Sequence, residues 1–218
     1  MKVDITKYDT IAFDCDGVIL DSNKVKTDAF YHAMEPLSKE AAIAIRDYHV
    51  KNGGISRFKK FEWAIKQYLN DLEYQPTYER LLDSYAKEVE SGLLNCQINP
   101  ALDALKESTQ HANWLVVSGG AQVELRDVFE RRNLTQFFSE GIYGSPDSKD
   151  VIFSRELSLG TISGKSLFIG DSKYDYISSN RAGLDFVFVS EWTEVQDWRE
   201  FCCENNIPSV DSLSELII

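Results

Sequence analysis

The apolar run Thr10-Ile11-Ala12-Phe13 stops abruptly at Asp14-Cys15-Asp16-Gly17-Val18-Ile19-Leu20-Asp21-Ser22. Asp is depleted inside strands, so the run reads as a strand near residues 9–14 that breaks into a turn. This junction constrains the chain more than any other feature. In an open α/β sheet, ligands bind beyond the carboxyl ends of the strands. Two acids placed two residues apart at such an end mark a candidate site. Cys15 alternates with them and is expected to point the opposite way, into the core.

The segments that follow change period twice. From about 22 to 95 the chain reads as helix after helix. Ser38 to Tyr48 is rich in Ala and Ile. Phe58, Phe61, Ile65, Tyr68, Leu69 and Leu72 recur at three- and four-residue steps, as do Tyr78, Leu81, Leu82, Tyr85, Val89 and Leu93. Both are amphipathic stripes of bundle-core type. Breaks are expected at Glu35-Pro36, Asn52-Gly53-Gly54 and Gln75-Pro76. From about 96, helix and strand alternate. Asn99-Pro100 reads as a helix start. Trp114-Leu115-Val116-Val117 is a strand ending in Ser118-Gly119-Gly120, with a helix to about Arg132. Gly141–Gly144 reads as a strand, Val151 to Leu159 as a helix, Ser166–Gly170 as a strand ending at Asp171, and Asp185–Val189 as the last clear strand. Strands alternating with helices imply a parallel sheet covered on both faces. The fold class is α/β, with an all-helical insertion after the first strand.

The chain has 218 residues and is 43% hydrophobic, enough for a real core. No apolar run approaches the roughly 20 residues that cross a bilayer, and the first residues have no signal-peptide pattern, so a cytoplasmic protein without membrane contact is expected. A formal net charge of −12 argues against a nucleic-acid partner, which needs clustered cations. It also means that an anionic substrate needs a metal or a local basic pocket. Cys15, Cys96, Cys202 and Cys203 have no CxxC spacing, and His32, His49 and His111 are isolated, so zinc is not expected.

The strand ends carry complementary chemistry. One carries Asp14 and Asp16, another Ser118-Gly119-Gly120, a third Asp171 with Asp175 four residues on. Lys149 stands at an expected helix start. A carboxylate can attack phosphorus, and a second can exchange a proton with the leaving group and then with water. Ser118 and the backbone of Gly119-Gly120 can cradle an anion. Clustered acids suit Mg²⁺. Lys149 balances charge. Lys165 is the rival lysine, but it directly precedes a strand and belongs at the wrong end of the sheet.

These pieces, in this order and spacing, resemble the haloacid dehalogenase-like superfamily of hydrolases, of the phosphatase type with a helical cap. The resemblance covers essentially the whole chain. It implies a Rossmann-like parallel core (residues 1–21 and 96–218) and a helical cap (22–95). It implies a nucleophile at Asp14, a general acid/base at Asp16 whose backbone carbonyl also meets the metal, and a charge-stabilising Lys149. Ser118, Gly119 and Gly120 would hold the phosphate. Asp171 and Asp175 would complete the Mg²⁺ site, Asp175 by orienting a metal-bound water or Lys149; compensation of the helix dipole is the alternative for Asp175. Lys149-Asp150-Val151 lacks the two prolines common at this motif. Asp16 favours phosphate esters over carbon–halogen bonds. The expected reaction is Mg²⁺-dependent hydrolysis of a small phosphorylated metabolite, a sugar or organic-acid phosphate, through an aspartyl-phosphate. A phosphomutase and a non-catalytic phosphosugar-binding member stay open. In the cap, Arg57, and less directly Lys24, are candidates for binding a substrate carboxylate or second phosphate. A plain helix-start residue is the alternative for Arg57.

Overall fold

The computed structural model describes residues 3–53 and 55–217. Gly54, in the expected cap break, lies outside the described residues, as do Met1, Lys2 and Ile218. Strand β1 (Thr10–Phe13) leads into four helices, α1 (Asn23–Met34), α2 (Lys39–Lys51), α3 (Arg57–Tyr68) and α4 (Tyr74–Asn95). Then follow α5 (Leu102–Ser108), β2 (Asn113–Ala121), α6 (Gln122–Arg131), β3 (Ile142–Ser145), α7 (Lys149–Leu159), β4 (Ser166–Gly170), α8 (Lys173–Ala182), β5 (Asp185–Val189), α9 (Trp198–Glu204) and β6 (Ser209–Val210).

The six strands pair in the order β3-β2-β1-β4-β5-β6, all parallel. The chain winds outward from β1 in one direction through β2 and β3, then returns to start the other half at β4. The strand order therefore reverses between β1 and β4, which is where open sheets leave a crevice. Every residue of β1 is buried, because helices cover both faces. Alternate side chains enter different layers. Ile11, Phe13, Trp114 and Val116 share one cluster, and Ala12, Leu115, Val117 and Phe168 share the other. The first layer continues into the helical insertion, where Phe30 packs on Phe61 and Tyr85 with ring centroids 5.1 and 4.5 Å apart. Of the two helical stripes, Phe61, Ile65, Leu69, Leu81, Tyr85, Val89 and Leu93 are buried, while Tyr68 and Leu72 are exposed at its rim.

Three local readings shift. The helix expected at Asn99-Pro100 begins at Leu102. Asn99 instead accepts from Ala101 N–H and donates to the Val18 carbonyl, tying a turn to the loop after β1. Pro76 is not a break but the third residue of α4, a position where the missing N–H has no intrahelical partner to lose. Strand β2 does not end at Val117: it runs to Ala121, with its register against β3 shifted between those residues. No described helix is long and apolar enough to cross a membrane.

Candidate active site

Pairing of β1 with β4 sets Phe13 opposite Ile169, so Asp14 and Asp171, each one residue beyond its strand, meet at the crevice. Asp14 N–H donates to the Ile169 carbonyl at 2.9 Å. The chain then turns tightly: Gly17 N–H donates to the Leu20 carbonyl, and Ile19 and Leu20 N–H to that of Cys15. Cys15 is buried in the core cluster, facing away from the acids. Gly17 has φ +75°, and a Cβ there would lie 2.1 Å from Asp171 Oδ2. Only glycine lets the loop and the second acid share this space.

Lys149, the first residue of α7, is buried beneath the acids with Nζ 2.9 Å from Asp14 Oδ2, and it also bonds Asp175 Oδ1. The second Asp175 oxygen accepts from Asp171 and Ser172 N–H, and Ser172 Oγ accepts from Asp175 N–H. Asp175 thus caps α8 and anchors Lys149 together. Lys165 lies at the other end of the sheet, over the Tyr8 ring and 3.6 Å from Asp185. Ser118 is buried and its Oγ accepts from Gly120 N–H at 3.0 Å. Gly119 and Gly120 line the same cavity as Asp14, Asp16 and Asp171.

Two partners escaped sequence reading. Lys26, one turn into α1, pairs with Asp16 Oδ2 at 2.5 Å, while Ser22 Oγ donates to Oδ1. Asn23 donates to Asp171 Oδ2 at 2.7 Å and to the Trp192 carbonyl. The available signal was their three-residue spacing on the helix that opens directly after the acidic turn. Lys24 falls on the other side of that helix. It is exposed, pairs with Asp28 and does not line the cavity. Arg57 does line it, but Nη2 donates to Glu124 at the start of α6, and the guanidinium lies over the Tyr85 ring at 5.1 Å.

The charges do not balance. Burial, with Asp175 and Asp16 adding to it against Lys149, pushes the Asp14 carboxyl up to about 7. Burial, then Asp175 and Asp14, push Asp171 well above the usual carboxylate range. Burial also raises Asp16, but Lys26, with Ser22 and Lys149, more than offsets it and leaves that carboxyl below its ordinary value. Four buried or nearly buried carboxylates (Asp14, Asp16, Asp171, Asp175) face two paired lysines (Lys26, Lys149). With all four ionised, the surplus is two negative charges. Oxygens of Asp14, Asp171 and Asp175 lie within 4.8 Å of one another. Asp14 and Asp171 line the cavity, whereas Asp175 is fully buried and does not, so Asp14 and Asp171 have the better-placed oxygens. A hard divalent cation fits this donor set and charge.

A buried acid cluster at the switch point of a parallel sheet, closed over by inserted helices, defines a lidded α/β enzyme. A family model described as haloacid dehalogenase-like hydrolase matches residues 11–189, and the chain belongs to that family. No curated protein matches the chain. Among solved structures, it is similar to a predicted phosphatase from Clostridium acetobutylicum (21% identity over 96% of this chain and 96% of that one, TM-score 0.71). It is also similar to a beta-phosphoglucomutase from Clostridium difficile (14% identity over 96% and 93%, TM-score 0.69). A third similar structure is the hydrolase YfnB from Bacillus subtilis, bound to magnesium (21% identity over 96% and 97%, TM-score 0.66). Identities this low speak for the fold alone.

Proposed function

We propose that this enzyme is a Mg²⁺-dependent phosphatase that hydrolyses a small phosphate monoester through an aspartyl-phosphate on Asp14, beneath a cap formed by residues 22–95 on a core of 1–21 and 96–218. The observation that carries this reading is the posture of Asp14. Its Oδ1 accepts from Cys15 N–H at 2.7 Å and its Oδ2 from Lys149 at 2.9 Å, at the mouth of the cavity shared with Asp16 and Asp171.

Phosphoryl transfer is mostly positioning and charge stabilisation. Asp14 attacks phosphorus as the ester P–O bond breaks. Asp16 gives its proton to the leaving oxygen and later takes one from the water that hydrolyses the phosphoenzyme. Lys26 sets which form Asp16 holds: paired, it is a carboxylate base; loosened, burial favours the acid. The Gly119-Gly120 backbone, just before α6, receives the phosphate oxygens. Asp14 and Asp171, with the Asp16 backbone carbonyl, would hold the Mg²⁺, which neutralises phosphate charge when bound. Asp175 acts by holding Lys149. The four free cysteines fit a reducing compartment such as the cytoplasm.

The test is release of inorganic phosphate from an aryl phosphate with Mg²⁺, wild type against Asp14→Asn. We expect loss of turnover of roughly 10³-fold or more, as for other removed nucleophiles. Equal rates sink the reading. The mutase relative favours one second reading, transfer of the phosphate back to the product. Isomerised sugar phosphate without phosphate release would establish it.

A further inference from the structure

The other buried cations that line the cavity have carboxylate partners. Lys26 pairs with Asp16, and Arg57 with Glu124; Lys149, just beneath, pairs with Asp14 and Asp175. Lys60 is the exception. It lies one turn beyond Arg57 on α3, is 1% exposed, and lines the same cavity as Asp14 and Asp171. Its Nζ sits 2.6 Å from His49 Nδ1 on α2 and 5.5 Å from the centre of the Phe30 ring. No described carboxylate forms an ion pair with it.

Buried lysines are almost always paired, because an isolated ammonium is costly to desolvate. A lysine kept here for packing alone would be better replaced by an apolar residue. The groups around it explain its state. Burial and Lys26 on α1 push the Lys60 amine down to about 7, against weaker opposing pulls from Asp16 after β1 and Glu194 after β5. Burial, then Lys60 and Lys26, also hold His49 well below its usual range, so the ring is neutral. The result is a donor in an apolar wall, with no protein anion to receive it. The cavity has about 60 Å³ of room, a few water-sized volumes.

We propose that Lys60, backed by His49, receives a second anionic group of the substrate. The ester would then be a short phosphate monoester that also carries a carboxylate or a second phosphate. This rests on the phosphate-ester reading of the acidic site. It moves the expected role of second-anion receptor from Arg57, which Glu124 neutralises, to Lys60. An incoming anion stabilises the ammonium, so binding above pH 7 draws a proton onto Lys60.

The experiment is calorimetric titration of the Mg²⁺-loaded enzyme with phosphonates, which cannot be hydrolysed. Phosphonoacetate and 3-phosphonopropionate carry a carboxylate, ethane-1,2-bisphosphonate a second phosphate-like group, and ethyl- and propylphosphonate neither. Wild type should bind at least one of the doubly anionic probes about tenfold or more tightly than the matched alkylphosphonate, as a charge-assisted hydrogen bond allows. Which probe wins separates carboxylate from phosphate. At pH 8 the preferred doubly anionic probe should take up more protons on binding than its matched alkylphosphonate, read from buffers of different ionisation enthalpy. Lys60→Met should lose both the preference and the extra uptake while alkylphosphonate affinity holds. The extra proton uptake needs no variant, so the test survives a misfolded Lys60→Met. Absence of any preference or of extra uptake in wild type, or a preference that survives Lys60→Met, overturns the inference. If aryl phosphate is still hydrolysed, only this inference falls. If no phosphate ester is hydrolysed and no phosphonate binds, the phosphatase reading falls with it.

Discussion

Asp171→Asn should stabilise the metal-free protein while disabling the metal-loaded one. Asp171 is 4% exposed, and its direct side-chain bond is to Asn23, a neutral donor. Burial and the neighbouring Asp175 and Asp14 raise its proton affinity far above that of a free carboxyl. A group raised in this way lends stability only while protonated. The loss begins as pH rises above the ordinary carboxylate value and is complete above the folded-state pKa. Asparagine keeps the acceptor for Asn23 and removes the charge. Replacing a buried charge whose partners do not repay its desolvation gains about 1–4 kcal/mol. Taking about 2 kcal/mol, and about 2–4 °C per kcal/mol for a chain of this size, Tm should rise by roughly 4–8 °C in EDTA at pH 8. The gain should shrink toward pH 4, where the wild-type carboxyl is neutral. Adding Mg²⁺ at about 100 times its Kd should stabilise wild type by about 2.7 kcal/mol and the variant far less, closing or reversing the gap. Thermal unfolding followed by circular dichroism, in EDTA and in Mg²⁺, reads all of this. A lower Tm for the variant in EDTA at pH 8, or an equal Mg²⁺ shift in both proteins, would refute the charge-surplus argument.

Two further outcomes are expected. Lys26→Met removes a cation that offsets burial at Asp16, whose protonated form the first step uses, so the basic limb of the kcat/KM profile should move to higher pH by about one unit or more; an unmoved limb would mean that Asp16 is not the group titrating there. Gly17→Ala forces a Cβ against Asp171 Oδ2 at 2.1 Å and Asn23 Nδ2 at 2.4 Å, at φ +75°, and should destabilise by about 1–3 kcal/mol with loss of Mg²⁺ binding; calorimetry showing wild-type metal affinity would contradict it.

The alternation that identified the sheet was legible because it is local. Ile11 and Phe13 fill one layer and Ala12 the other, as period-two geometry requires. The three-four spacing of Phe61, Ile65, Tyr85 and Val89 likewise declared a bundle before any contact was known. Local signals failed at Asn99 and Pro76, where side chains serve a turn and a helix start that only their neighbours define. They also fail at α9 and β6, which at seven and two residues are too short to show a period.

The sequence by itself determined that acids, glycines and a lysine stand at successive strand ends, because strand breaks and helix starts depend on neighbouring residues. Tertiary structure alone decided which of these groups meet and how their charges balance. Lys149 bridges Asp14 and Asp175, Asn23 reaches Asp171 across 148 positions, and Lys26 rather than Lys24 takes Asp16. Periodicity assigns a side chain to a face, but the partner opposite that face comes from how distant elements pack. Burial then makes each pairing matter, since an unpartnered charge is cheap in water and expensive inside. That is why Arg57, conspicuous in the sequence, is neutralised by Glu124, and why Lys60, inconspicuous among the charges of α3, stands without an anion beside the site.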